Sequence, residues 1–204
     1  MNILACGALA NELIALKRLN HWQSMNITCL PAHYHQTPQK IPAAVALAIE
    51  KIRQQNDDDI LVAYGDCGTG GRLDEVLQVA GVERLPGAHC YEFFAGLEVF
   101  SELHEAELGT FYLTDFLVDH FDTYVWRALG LERKPELLEM YFGNYKRLLY
   151  LGQTQNEDRQ LLAEQHAARL GLTYEYRYTG YGEMGAAVSA MMLTSQQVAV
   201  PCLS

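Results

Sequence analysis

Short apolar runs alternate along the chain with longer stretches whose apolar positions recur at helical spacing. The runs at 2–5, 26–30, 60–64, 84–88, 109–113 and 147–151 read as buried strands, and 173–178 alternates like a strand with one wet face. Between the first two, 9–19 places Leu9, Leu13, Ala15, Leu16 and Leu19 on one helical face. A second helix spans 41–55, with Pro42 in its first turn and a stripe of Ile41, Val45, Ala48, Ile49 and Ile52. Further helices are predicted at 73–80, stopped by Gly81, and from 92 to about 104. In the second half they fall at 115–129, capped by Thr114 or Asp115, at 134–142, and at 157–170, closed by Gly171. The small-residue helix at 184–193 reads as core.

Strands that alternate with helices pair in parallel through right-handed crossovers, which predicts an α/β fold. The expected architecture is a doubly wound, mostly parallel sheet with helices on both faces. One domain, 1–204, is expected, with a Cys/His-rich first half (1–105) and a Thr/Tyr/Gln-rich second half (106–204). In such sheets the residues just after the strands share one rim, however far apart they lie in sequence.

Composition narrows the function classes. Of 204 residues, half are apolar and a fifth charged, as in ordinary globular proteins. The formal net charge of -10 supplies no basic face for phosphates, so no nucleic-acid partner is expected. No apolar run approaches the ~18 residues of a membrane span, and the start of the chain lacks the basic region of a signal peptide. Five cysteines, an odd number, do not form a secreted disulfide framework. Together these point to a cytoplasmic protein with reduced thiols.

The stretch Tyr64-Gly65-Asp66-Cys67-Gly68-Thr69-Gly70-Gly71 joins a predicted strand to a helix. Its glycines permit positive φ and a concavity of N–H groups, which makes Gly68 and Gly70 candidates to bind a cofactor or a substrate carboxylate. Neither GxxxxGK[ST] nor G-x-G-x-x-G is present, so a nucleotide site has little support. After the other early strands come Cys6, then His33 and His35, then His89, Cys90 and Glu92. Thiolate and imidazole suit zinc first and iron or an iron–sulfur cluster second. The expected metal ligands are Cys6, Cys67 and Cys90 with His35 or His89, although no CxxC or HExxH is present. In an extended chain His89 and Cys90 face opposite ways, and Cys90 is favoured. Asp66 and Glu92 are the candidate bases or orienters of a histidine.

The second half offers Thr114, Asp115, Gln153, Thr154, Tyr178 and Tyr181, polar groups that could orient a small ligand. Cys29 reads as core, and His104, His120 and His166 as solvated or satisfied. Cys202, near the end of the chain, receives no role.

At these residues the chain resembles the DUF1638 family of unknown function. The resemblance runs through Ala5-Cys6-Gly7-Ala8-Leu9, Leu30-Pro31 with His35 and Pro38, and Tyr64-Gly65-Asp66-Cys67-Gly68. It continues through Pro86-Gly87 with His89-Cys90-Tyr91-Glu92, then Gly109 to Phe116, and Thr179-Gly180-Tyr181-Gly182; Gln36 replaces an expected Asn. The resemblance implies a companion of corrinoid-dependent methyltransferase systems. It therefore implies one-carbon transfer from methylated amines, with a small-molecule substrate and a corrinoid protein as partners. In that setting a zinc-thiolate centre would activate a substrate thiol as methyl acceptor. Two other readings stay open: a non-catalytic module that binds metal or a corrinoid protein, and a cysteine hydrolase or transferase with Cys67 as nucleophile and His89 as its partner.

Overall fold

A computed structural model describes residues 1–198 of the chain. Its strands all pair in parallel, but they divide between two sheets. One compact unit comprises Met1–Phe93 and the C-terminal segment from Gly182, and the other comprises Phe94–Tyr181. The α/β class follows from the alternation seen in the sequence. The division into two sheets does not, because sequence alternation specifies crossovers and leaves strand order open.

In the first unit the sheet order is β2-β1-β3-β4, with β1 at Asn2–Cys6, β2 at Asn26–Leu30, β3 at Ile60–Ala63 and β4 at Glu83–Arg84. The central strands β1 and β3 are buried along their whole length, as expected when both faces of a parallel sheet are covered. Their register runs from Asn2↔Ile60 to Ala5↔Ala63, so Cys6 is the first residue of β1 beyond the paired segment. Helix α1 (Ala10–Leu19) buries Leu13 and Leu16, and α2 (Ile41–Arg53) buries Ile41, Val45, Ile49 and Ile52. Helix α3 (Arg72–Ala80) buries Leu73 and Leu77 and is closed by Gly81. Cys29, expected in the core, is exposed because β2 is an edge strand.

The apolar run at 84–88 does not extend as a strand. Strand β4 ends at Arg84, since Pro86 lacks an N–H for a ladder and Gly87 takes φ +111°. The chain then enters α4 (Cys90–Ala95) directly, and Gly96 at φ +83° separates it from α5 (Leu97–Ala106).

The second sheet has the order β5-β6-β7, with β5 at Thr110–Leu113, β6 at Arg147–Gly152 and β7 at Thr173–Tyr178. The helix expected at 115–129 is interrupted: α6 covers Asp115–Asp119 and a π-helical turn covers Asp122–Trp126. Helices α7 (Leu137–Phe142) and α8 (Glu157–Leu170) complete this unit, whose core joins Leu113, Phe121, Phe142, Leu148 and Tyr150 to Ala163 and Ala167. Helix α9 (Gly182–Val198) belongs to the first unit and buries Met184, Val188 and Met192, four residues apart. Among the described residues no helix is long and apolar enough to cross a membrane. Cys202 lies outside them.

His166 on α8 is buried, not solvated, and stacks on Phe121 with ring centroids 4.0 Å apart. Its Nε2 is 3.0 Å from the Val118 carbonyl, while Nδ1 finds no hydrogen-bond partner among the described residues. Burial therefore holds its pKa below 6.5, with the Arg169 charge acting the same way and the Val118 bond opposing. In the unfolded chain the ring protonates below about 6.5. Stability is thus complete above that pH and falls as the pH drops towards the folded-state pKa. Denaturant unfolding should show a lower stability at pH 5 than at pH 7.5, and His166→Gln should reduce that difference.

Candidate functional site

The residues after β1 and β3 meet those of the 3₁₀ segment Ala32–Gln36 that follows β2. Cys6 caps a 3₁₀ turn at Gly7–Leu9, and its sulfur accepts a hydrogen bond from the Ala8 amide at 3.4 Å. The same sulfur lies 3.6 Å from Nδ1 of His35. That nitrogen is also 3.0 Å from the Ala32 carbonyl, which can only accept, so Nδ1 carries a proton. A neutral His35 then keeps its lone pair on Nε2.

The Cys67 sulfur lies near enough to the His35 ring to influence its protonation, while the ring's short contacts are to Cys6 and the Ala32 carbonyl. Burial works against protonating His35, but the Cys67 sulfur and the Ala32 carbonyl outweigh it and raise its pKa above 6.5.

The thiols differ sharply in environment. Burial pushes Cys6 up to about 11, against the opposing Ala8 bond. Cys90 is also driven well above 9.0, by burial first and then by the nearby Cys67 and Cys6 sulfurs. Both are protonated thiols at neutral pH. Cys67 is half-buried and has φ +51°, a left-handed conformation that non-glycine residues seldom adopt. The Tyr64 hydroxyl sits against the Cys6 side of this group, and burial followed by the thiols raises its pKa. It meets no partner of good hydrogen-bond geometry among the described residues.

The two candidate bases are occupied. Asp66 Oδ1 accepts from the Gly71 amide at 2.8 Å and the Thr69 hydroxyl at 2.7 Å, and Oδ2 accepts from the Gly70 amide at 3.1 Å. These bonds, Gly71 first, hold its pKa at about 2, too low for a general base near neutrality. The Gly70 amide, a candidate for anion binding, is thus taken by the protein's own Asp66 carboxylate. Glu92 accepts from the Ala88 amide at 3.0 and 3.1 Å and from the His89 amide at 3.2 Å. It stands at the third position of α4 and caps that helix. His89 is exposed, with its ring 6.1 Å from that of Tyr91, whereas the Cys90 thiol faces the other cysteines.

Among the described residues no group of three or more His, Cys, Asp and Glu side chains is arranged to hold a metal ion. Cys6, His35, Cys67 and Cys90 are neighbours at this rim, and His89 is exposed. One chemistry this arrangement offers is that of a half-exposed thiol near an imidazole.

In the second unit the polar residues expected to orient a ligand bond to one another. Asp115, at 5% exposure, accepts at Oδ1 from the Tyr150 hydroxyl (2.7 Å) and the Gln153 amide (2.8 Å). Its Oδ2 accepts from the Thr154 hydroxyl (2.6 Å), the Thr154 amide (3.1 Å) and Arg159 Nη1 (2.9 Å). Gln153 is enclosed, accepting from the Asp115 amide and donating to the Leu151 carbonyl, and Thr114 caps α6. Thr114 and Gln153 are thus spent on the fold, not on a ligand. Tyr181 is half-buried at the end of this unit.

Sequence reading named Cys6, His35, Cys67 and Cys90 but gave no role to Tyr64, to the Ala88 carbonyl or to Arg84. Tyr64 was visible as the last residue of an apolar strand, a position from which its hydroxyl faces the rim. The Ala88 carbonyl has no side-chain signature. For the second unit, Asp115→Ala should leave the Gln153 and Thr154 amides and the buried Tyr150 hydroxyl without their acceptor, with Arg159 still paired to Asp119. Denaturant unfolding should report a loss of about 3–5 kcal/mol.

The family model described as "Protein of unknown function (DUF1638)" matches residues 29–188, which include His35, Cys67 and Cys90. No curated protein matches the chain. With most of its length inside that match, the chain belongs to the DUF1638 family.

Proposed function

We propose that the rim of the first sheet is a thiol-based group-transfer site with Cys67 as nucleophile and His35 as its base. The observation that carries this reading is the left-handed, half-exposed Cys67 near an imidazole whose Nδ1 is tied to a carbonyl. Strained backbone at a strand end is a recurrent feature of functional sites. An imidazole oriented through its second nitrogen is the usual arrangement for activating a thiol.

In the proposed step His35 takes the proton of the Cys67 thiol. The sulfur forms a bond to an electrophilic carbon of a small substrate, and the leaving group departs with the electron pair of the broken bond. A nucleophilic acceptor then bonds that carbon, the carbon–sulfur bond breaks with its electron pair on Cys67, and the proton held by His35 returns to the sulfur. Cys6 and Cys90, held protonated by burial, do not compete as nucleophiles. Corrinoid-linked methyl transfer, the context implied by the family resemblance, would supply a donor of this kind.

A second reading places zinc or iron on the same donors and draws on the 3.6 Å approach of Cys6 to His35. In that reading His35 would ligate through Nε2 while its Nδ1–H stays on the Ala32 carbonyl.

Alkylation with iodoacetamide, followed by peptide mass spectrometry, separates the two readings. Cys67 should react much faster than the exposed Cys29. His35→Gln should lower the Cys67 rate by about 10²-fold or more. A base must be unprotonated, so the rate should fall on the acid side through an inflection above pH 6.5 that His35→Gln removes. Cys67 reacting no faster than Cys29 would sink the nucleophile reading. Stoichiometric metal by elemental analysis, lost in Cys67→Ser, would replace it with the metal reading. A methyl-corrinoid donor then tests the reaction class, with methylated Cys67 as the expected product.

A further inference from the structure

The loop at 85–88, which makes no contact with the Cys67 sulfur among the bonds described above, sets the backbone from which that sulfur projects. The Cys67 amide donates to the Ala88 carbonyl at 2.8 Å and the Asp66 amide to the Gly87 carbonyl at 3.1 Å. These two bonds continue the β3–β4 pairing past the end of β4. Gly65 allows the approach: a Cβ there would meet the Ala88 carbonyl at 3.0 Å.

Two ionised side chains hold the loop in place. Glu92 takes the Ala88 and His89 amides, and a Cβ on Gly87 would run into its Oε2 at 2.6 Å. Arg84 donates from Nη1 to the Leu85 carbonyl at 2.8 Å and the Gly87 carbonyl at 3.0 Å. Its other edge is paired with Asp74 in the first turn of α3, at 2.6 and 3.0 Å. The loop is therefore pinned through its amides by a carboxylate and through its carbonyls by a guanidinium.

We infer that Glu92 and Arg84 are positioning residues for Cys67, acting through the 85–88 loop to keep its left-handed backbone and so aim its sulfur at His35. The inference rests on the reading of Cys67 as the reactive thiol, and it recasts Glu92 from a candidate base to a residue that never meets substrate. A left-handed backbone is disfavoured for a non-glycine residue and persists only where its surroundings over-determine it. Here the over-determination comes from the two amide-to-carbonyl bonds, which need a fixed loop to accept them.

The test uses Glu92→Leu, which removes both acceptor oxygens from the Ala88 and His89 amides, and Arg84→Met, which keeps the aliphatic stem and loses both carbonyl contacts. Arg84→Lys is the milder alternative if Arg84→Met folds poorly. Leu77→Ala, a buried truncation on α3 away from the loop, serves as a stability control. In both positioning variants the Cys67 alkylation rate should fall about tenfold or more, and its pH profile should change shape, while Cys29 reacts as before. Leu77→Ala should lower the unfolding midpoint without changing the Cys67 rate. Independently of reactivity, the amide–Hα scalar coupling of Cys67 should report its left-handed φ in the parent protein and relax in the variants.

An unchanged coupling and an unchanged Cys67 rate in both variants would overturn the inference. If the parent Cys67 proves no more reactive than Cys29, the nucleophile reading fails, and the scalar coupling alone decides whether Glu92 and Arg84 set the Cys67 backbone.

Discussion

Parallel strands end in amide groups that have no further strand to pair with, and something must accept their hydrogen bonds. In this chain an aspartate does so in each unit. Asp66 takes two amides and a hydroxyl of its own glycine turn, and Asp115 takes two amides, two hydroxyls and a guanidinium at the ends of β5 and β6. The loops that carry the remaining polar residues are shaped by these carboxylates. A turn whose amides are already satisfied has little capacity left for an external anion. That is why the glycine-rich stretch is better understood as a support for Cys67 than as a phosphate or carboxylate cradle.

The same constraint separates residues that hold the site from residues that act in it. Desolvation makes Cys6 and Cys90 poor acids, whereas Cys67 is half-exposed and lies near the His35 imidazole. Glu92 and Arg84 stand one layer back, with their charged groups consumed by the 85–88 backbone. Charge-assisted bonds of this kind are stronger than neutral ones. Placing them on the loop, not on the nucleophile, fixes geometry without adding charge at the sulfur.

Much of this arrangement was legible in the sequence. The apolar runs and helical stripes located nearly every element, and the order of strands and helices gave the α/β class. Residues just past strands do share a rim in such folds, which is how Cys6, His35, Cys67 and Cys90 could be grouped from positions far apart in the chain. Two elements misled. The apolar run at 84–88 became a bend because Pro86 and Gly87 end the strand, and the stretch at 115–129 broke into a short helix and a π-helical turn. In both places local hydrophobicity pointed to a continuous element, and at 84–88 it was backbone chemistry that interrupted it.

What the sequence determined by itself was the class of fold, the elements and the residue types at the strand ends, because periodicity and turn chemistry are local properties. Only the tertiary structure decided that the strands form two sheets, because pairing between distant segments leaves no mark in local spacing. It alone decided which carboxylates are free to act, since Asp66, Glu92 and Asp115 differ in the amides that surround them and not in the side chain itself. It also chose the imidazole beside Cys67. His35, farther from Cys67 in sequence than His89, comes beside it because parallel pairing of β1 with both β2 and β3 brings their carboxyl ends to one rim.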